Sequence, residues 1–173
     1  MADTVTKDMK QPEPVYVANV NPASTAGVDH NGLTTGVWSA GLFSCCDSIV
    51  PNCCMSFCCP CFSLAQITSR LGLYGFYPTL IFFAILYVVT GVAESAKIIW
   101  LGGISWMVIF IALFALRSQF RKIFALPGSC CGDCCASFFC SCCTIAQMAT
   151  HAKSYEKGSC QFGPPATLPG YKA

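Results

Sequence analysis

The sequence predicts a mainly α membrane protein, a two-helix transmembrane hairpin flanked by two repeated cysteine-rich segments that are cytosolic or interfacial. Three observations point there. Only 10% of the 173 residues are charged while 54% are hydrophobic, against roughly 25% and 45–50% in globular domains. Two uncharged apolar runs follow one another with a four-residue gap. A cysteine-rich stretch occurs twice, once on each side of those runs.

The first 37 residues show no basic stretch followed by an apolar core, so no cleavable signal peptide is visible. Pro12, Pro14 and Pro22 sit among Asp, Asn, Thr and Gly, and residues 1–37 are expected to be a disordered tail. The net charge of +2 hides an asymmetry, because Asp3, Asp8, Glu13 and Asp29 outnumber Lys7 and Lys10 in this tail. The basic bias of the remainder is too mild for nucleic-acid binding and suits an anionic membrane face.

Residues 38–157 are read as one cysteine-rich membrane domain. Its first cysteine-rich segment, 45–70, has no charge from Ser48 to Ser69, but Pro51, Asn52 and Pro60 interrupt it, so it reads as half-buried or interfacial and not as a span. Pro60 lacks an N–H and disfavours helix before it, which predicts a helix from Pro60 toward Gly72.

The hairpin occupies 76–116. The apolar run from Phe76 to Ala93, 18 residues long, covers roughly 27 Å as a helix, near the thickness of a hydrocarbon core. The run from Ile98 to Leu116 has 19. Only Glu94, Ser95, Ala96 and Lys97 lie between them, so the two helices are expected to be antiparallel neighbours. Arg70 precedes the first and Arg117, Arg121 and Lys122 follow the second, which puts both termini in the cytosol by the positive-inside rule. Gly91, Gly102 and Gly103 would permit close helix approach. Glu94 and Lys97 are expected at the far interface as a capping pair.

In the second cysteine-rich segment, 130–157, the stretch from Cys134 matches the stretch from Cys53 at an offset of 81, with eight identities in 18 positions. Cys59, Cys61, Ala65 and Gln66 recur as Cys140, Cys142, Ala146 and Gln147. The two copies are expected to pack as a pseudo-symmetric pair. Ser141 stands where Pro60 stood and is expected to cap a helix that Lys153, Glu156 and Lys157 carry toward Gly158. Residues 158–173, rich in Gly and Pro, are expected to be a second disordered tail.

Both C-x-C pairs fall at loop-to-helix junctions, where the helix dipole favours thiolate. Three readings stay open for the 15 cysteines. Thiolates in a reducing cytosol suit soft metals such as zinc, copper(I) or cadmium, and Cys59, Cys61, Cys140 and Cys142 would supply a tetrahedral set. Membrane-proximal cysteines are also palmitoylation targets, and free cysteine packs as a small hydrophobe. Enzymatic activity is not expected: His30 and His151 are the only histidines, and no Gly-rich phosphate loop is present.

The stretch from Trp38, WSAGLFSCCDSIVPNCCMSFCCPCFSLAQI, resembles the cysteine-rich placenta-specific-eight family, which includes cornifelin and the plant cadmium-resistance and cell-number-regulator proteins. The stretch from Phe120, FRKIFALPGSCCGDCCASFFCSCCTIAQMATH, carries the same resemblance in its basic residues, its Asp between cysteines and its C-x-C-C ending in Gln. It departs in Met148, Ala149, Thr150 and His151, where relatives carry charged residues. The resemblance implies a membrane protein, usually of the plasma membrane, with roles in heavy-metal or calcium handling or in control of cell number, and no enzymatic activity. Two spans enclose no pore, so metal transport would require a homo-oligomer in the lipid bilayer; a palmitoylated scaffold that regulates cell number without transport is the alternative. The small-molecule substrate is not specified.

Overall fold

The computed structural model of the chain describes residues 26–44, 49–156 and 158–171. Most of the expected N-terminal tail, together with Cys45, Cys46 and Lys157, lies outside the described residues. The elements in order are two short strands, β1 (Gly27–Val28) and β2 (Thr34–Thr35), and six helices: α1 (Cys54–Cys58), α2 (Pro60–Arg70), α3 (Phe76–Ser95), α4 (Ile99–Ile123), α5 (Cys130–Phe139) and α6 (Ser141–His151). A helical turn, Ile49–Cys53, leads into α1.

Among the described residues, α3 and α4 are the two single helices long and apolar enough to cross a membrane, with mean hydropathy of 2.0 and 2.3 over their best windows. They pack against each other, and the residues of α4 that become buried are Gly102, Ser105, Ile109, Leu113, Arg117 and Phe120, a stripe at helical period. Only 22% of each apolar window is covered by the rest of the chain. Ile81, Ile85, Val88, Val92, Ile99 and Ile111 point outward, as lipid-facing residues do.

Both helices outrun the expected limits. α3 includes Glu94 and Ser95, and α4 continues through Arg117 to Ile123, because nothing between Leu116 and Ile123 disfavours helix. The stop comes at Ala125, in the left-handed region at φ 50° and two residues before Pro127. The Glu94–Lys97 turn closes through the backbone: Ile98 N–H donates to Ala93 O at 2.8 Å and Lys97 takes a φ of 57°. Among the described residues no ion pair joins Glu94 to Lys97, so the expected capping pair is not formed. Of the three glycines, only Gly102 lies at the helix contact, where a Cβ would sit 3.7 Å from Ala93 Cβ; Gly91 and Gly103 face open space.

The repeat is structural. α2 and α6 have 11 residues each, start at positions 81 apart and pack against one another. The residue before each adopts the same backbone, φ −135° and ψ 57° at Cys59, φ −143° and ψ 69° at Cys140. The residues two past the helix ends, Gly72 and Lys153, are both left-handed, at 65° and 48°. Cys140, not Ser141, therefore occupies the cap position of α6, and the Ser141 hydroxyl instead donates to Ser137 O. The left-handed Lys153 ends α6 at His151, short of the expected Gly158 stop. Leu64, Ile67 and Leu71 from the first copy meet Ile145, Met148 and Ala149 from the second, closed off by Phe83, Leu113, Phe120 and Phe124.

Order begins earlier and ends later than expected. Leu33, between the two strands, is 1% exposed, and Gly36 N–H donates to Phe124 O. Residues 158–171 hold no helix or strand but lie docked as a strap: Leu168 N–H donates to Arg70 O at 2.7 Å, and Arg70 Nη1 donates to Ala166 O. The strap ends against the N-terminal segment, where the Tyr171 hydroxyl donates to Asp29 and Asn31 Nδ2 donates to Pro169 O.

Candidate functional site

The break before α6 gathers sulfur. Cys140 caps the helix, and Cys142 and Cys143 occupy its first turn; their three sulfurs lie within 4.8 Å of one another. Cys140 and Cys143 are joined as a disulfide, and the free Cys142 Sγ lies 3.8 Å from Cys140 Sγ. A disulfide and a thiolate metal site are alternative states of the same three atoms, selected by redox conditions. Reduced, the donor set fits a soft cation: sulfur only, half-buried, at the positive end of an α-helix.

Of the four expected ligands, the structure brings Cys140 and Cys142 together. Cys59 and Cys61 hold the equivalent backbone position in the first copy but are not members of the cluster, whose third sulfur comes from Cys143. At offset 81 Cys143 answers to Phe62. A comparison of the copies therefore passes over it, although Cys140 and Cys143 form a C-x-x-C that is legible by itself. At Cys61 burial pushes the thiol pKa up, against the lowering expected from its place at the helix start.

A second constellation, which sequence reasoning missed, lies where α4 meets α5. Arg117, 6% exposed, donates from Nε to Asp133 Oδ1 at 3.0 Å and from Nη1 to Gln147 Oε1 at 2.9 Å, and its guanidinium lies 4.7 Å from the centre of the Trp38 ring. Arg121 holds the other Asp133 oxygen and the Gly128 carbonyl. Gln147 also donates to Ala40 O at 3.0 Å. Two of the basic residues that mark this end of the hairpin are thus tied by one carboxylate, and the Trp, Asp and Gln of the cysteine-rich motifs are the parts of that tie. The first copy uses the equivalent positions differently: Asn52, counterpart of Asp133, donates to Ala146 O and Thr150 Oγ1 of α6, and Gln66, counterpart of Gln147, donates to Gln161 O and Gly163 O of the strap.

His151 sits beside this cluster in an aromatic cage of Trp38, Phe120 and Phe124, with ring centroids at 5.5, 5.4 and 4.8 Å. Its Nδ1 accepts from Ser39 N–H, its Nε2 has no hydrogen-bond partner among the described residues, and burial pushes the imidazole pKa down to about 4. Neutral, T-packed against three rings and 1% exposed, it is a core residue.

Two membrane-length helices, a duplicated cysteine-rich unit on either side and an arginine–aspartate tie define the class: a cysteine-rich membrane protein built around a candidate hairpin. The chain belongs to the PLAC8 family, whose profile matches residues 38–151. Cell number regulator 4 of Zea mays is 31% identical to it over 127 residues, 69% of each chain. No solved structure matches. The family indicates no catalytic domain.

Proposed function

We propose that this protein handles soft metal ions at a membrane, without an enzymatic step, binding an ion through the thiolates of Cys140, Cys142 and Cys143. The observation that carries this reading is the meeting of three sulfurs within 4.8 Å at a helix start. Cys59 and Cys61 form a second thiol position with the same backbone geometry, available for an ion passing between the copies or between chains. The hairpin by itself encloses no channel, so movement of an ion across the bilayer rests on a homo-oligomer. Plasma-membrane residence with both termini in the cytosol completes the reading and supplies the reducing conditions that open the Cys140–Cys143 bond.

The test is cadmium or zinc titration of the purified, reduced, full-length chain in detergent, followed by ultraviolet thiolate-to-cadmium absorption and by elemental analysis. One ion per chain is expected. Serine at Cys140, Cys142 or Cys143 should abolish it, serine at Cys59 or Cys61 should weaken it, and serine at the exposed Cys160 should leave it unchanged. Binding should also weaken as pH falls, because each thiol must lose a proton. A stoichiometry untouched by all three central substitutions refutes the reading. The name of the maize relative favours a second reading, regulation of cell number by an acylated membrane scaffold without ion movement; it predicts hydroxylamine-sensitive lipid on the cysteines and no stoichiometric metal.

A further inference from the structure

We propose that the two helix–break–helix units are re-entrant hairpins, whose exposed Cys and Phe faces lie against lipid acyl chains in the leaflet at the Arg117 end of the spans. The inference rests on α3 and α4 crossing the bilayer and is independent of metal binding.

Depth is read along α4, which acts as a ruler. At the near end of α5, Asp133 is held by Arg117 and Arg121. At its far end Phe138 packs edge-on against Trp106 and Phe110, with centroids at 5.0 and 5.8 Å. Trp106 stands 11 residues before Arg117, which is roughly 16 Å along a helix and about half of a 30 Å hydrocarbon core. The chain then breaks at Cys140 and α6 returns, bringing His151 back to Phe120 and Phe124. The first copy turns in the same way: the chain direction changes by 115° between the helical stretch Val50–Cys58 and Pro60–Arg70, and Arg70 Nε then donates to Ala152 O just past the end of α6.

The units are amphipathic in the sense a lipid surroundings demands. Their inward faces carry the polar groups, with Asn52 and Ser56 matched by Asp133 and Ser137, all 3% exposed or less. Their outward faces carry Val50, Cys54, Phe57 and Cys58 in one copy, and Cys131, Cys135, Phe138 and Phe139 in the other. Phe57 is 74% and Phe139 81% exposed, a display that water penalises at roughly 25 cal/mol per Å². At offset 81 the outward positions correspond as Val50 with Cys131, Cys54 with Cys135, Phe57 with Phe138 and Cys58 with Phe139. Low polarity is kept at all four positions, the thiol at Cys54 and Cys135 alone. No Asp, Glu, Lys or Arg occurs between Asp47 and Arg70 or between Asp133 and Lys153, so each unit is uncharged from one polar end to the other. The breaks are compatible with low dielectric, because Cys59 and Cys140 N–H donate to Met55 O and Ala136 O.

Tryptophan depth measurements test this on the full-length chain in phosphatidylcholine vesicles. In a Trp100→Phe, Trp106→Phe background, whose remaining Trp38 gives a baseline that is subtracted throughout, Phe57→Trp, Phe139→Trp and, as an aqueous reference, Cys160→Trp are each exposed to iodide on both faces and to lipids brominated at mid-chain. Positions 57 and 139 should be quenched by bromolipid at least about threefold more than position 160, which iodide alone should reach. Iodide quenching at 57 and 139 equal to that at 160 overturns the proposal. So does a failure of both quenchers, which would mean that protein, such as a second copy, covers these faces. A Trp100→Phe chain, which reports Trp106 once the same Trp38 baseline is subtracted, separates the causes: bromolipid quenching there with none at 57 and 139 leaves the spans standing and removes the hairpins, whereas its loss removes both. Should the variants misfold, the unaltered chain, made in a host without S-acyl transferases, gives the same decision by peptide-mapped thiol labelling. Cys54, Cys58, Cys131 and Cys135 should react with N-ethylmaleimide yet at least about tenfold more slowly than Cys160 with a charged maleimide present on both faces, since a charged reagent is excluded from hydrocarbon. Equal rates with the charged reagent overturn the proposal.

Discussion

Removing the Asp133 carboxylate should be among the most damaging single changes available to this fold. Asp133→Ala leaves Arg117 in place, 6% exposed, without its only anionic partner among the described residues. Arg121, with 18% of its side chain exposed, can turn toward solvent. Arg117 cannot, since Trp38 covers its guanidinium and Gln147 satisfies only one of its nitrogens. Breaking a buried pair by deleting one partner costs about 3–5 kcal/mol, and the remaining bond to Gln147 places the expected loss near the lower bound, about 3 kcal/mol. Asp133→Asn keeps an acceptor for Arg117 Nε and should cost less, about 1–2 kcal/mol. The Arg117→Met, Asp133→Ala double variant, which removes the stranded charge, should recover most of the loss. Equilibrium unfolding in mixed micelles by increasing SDS, followed by near-ultraviolet circular dichroism of the stacked Trp38, measures all three. A cost below about 1 kcal/mol for Asp133→Ala, or a double variant as unstable as the sum of its parts, would refute a buried, structurally required pair.

His151 supplies a pH dependence. Its folded pKa of about 4 lies below the ordinary 6.5, so the stability it contributes is fully present above about pH 6.5 and is lost as pH falls toward 4, by up to about 3 kcal/mol; thermal melts between pH 7 and 4 should show this slope, and His151→Phe should flatten it. At the helix contact, Gly102→Leu would drive a side chain into Ala93 and Glu94 and should destabilise by about 1–3 kcal/mol, while Gly103→Leu, facing open space, should be neutral or mildly stabilising in the same micelle assay.

The hairpin and the helix at Pro60 were legible because they depend on local properties: uncharged runs of membrane length and a proline at a helix start. The repeat was legible as sequence identity, and its shared break at Cys59 and Cys140 follows from it. What escaped depends on contacts between distant segments. Arg117 and Arg121 read as the positive end of a span, yet they are held by Asp133, 12 to 16 residues further on. The strap has no apolar period to announce it. It is ordered by hydrogen bonds from Gln66 and Arg70 to its carbonyls, which composition does not encode. Cys143 is hidden from any comparison of what the two copies share, because the third sulfur stands where the first copy has Phe62.

The junction of Tyr171 and Pro169 with Asp29 and Asn31 brings the two ends of the described residues together, so that these form, in outline, a closed ring from which the two long helices hang as a pendant. A short linker from residue 171 to residue 26, in place of residues 1–25 and 172–173, with new ends opened at the Glu94–Lys97 turn, would give a circular permutant that keeps the Tyr171–Asp29 and Asn31–Pro169 contacts and severs only the tether between the pendant helices. Such a permutant would ask whether the order in which the long helices are made matters to a molecule whose cysteine-rich copies already clasp one another.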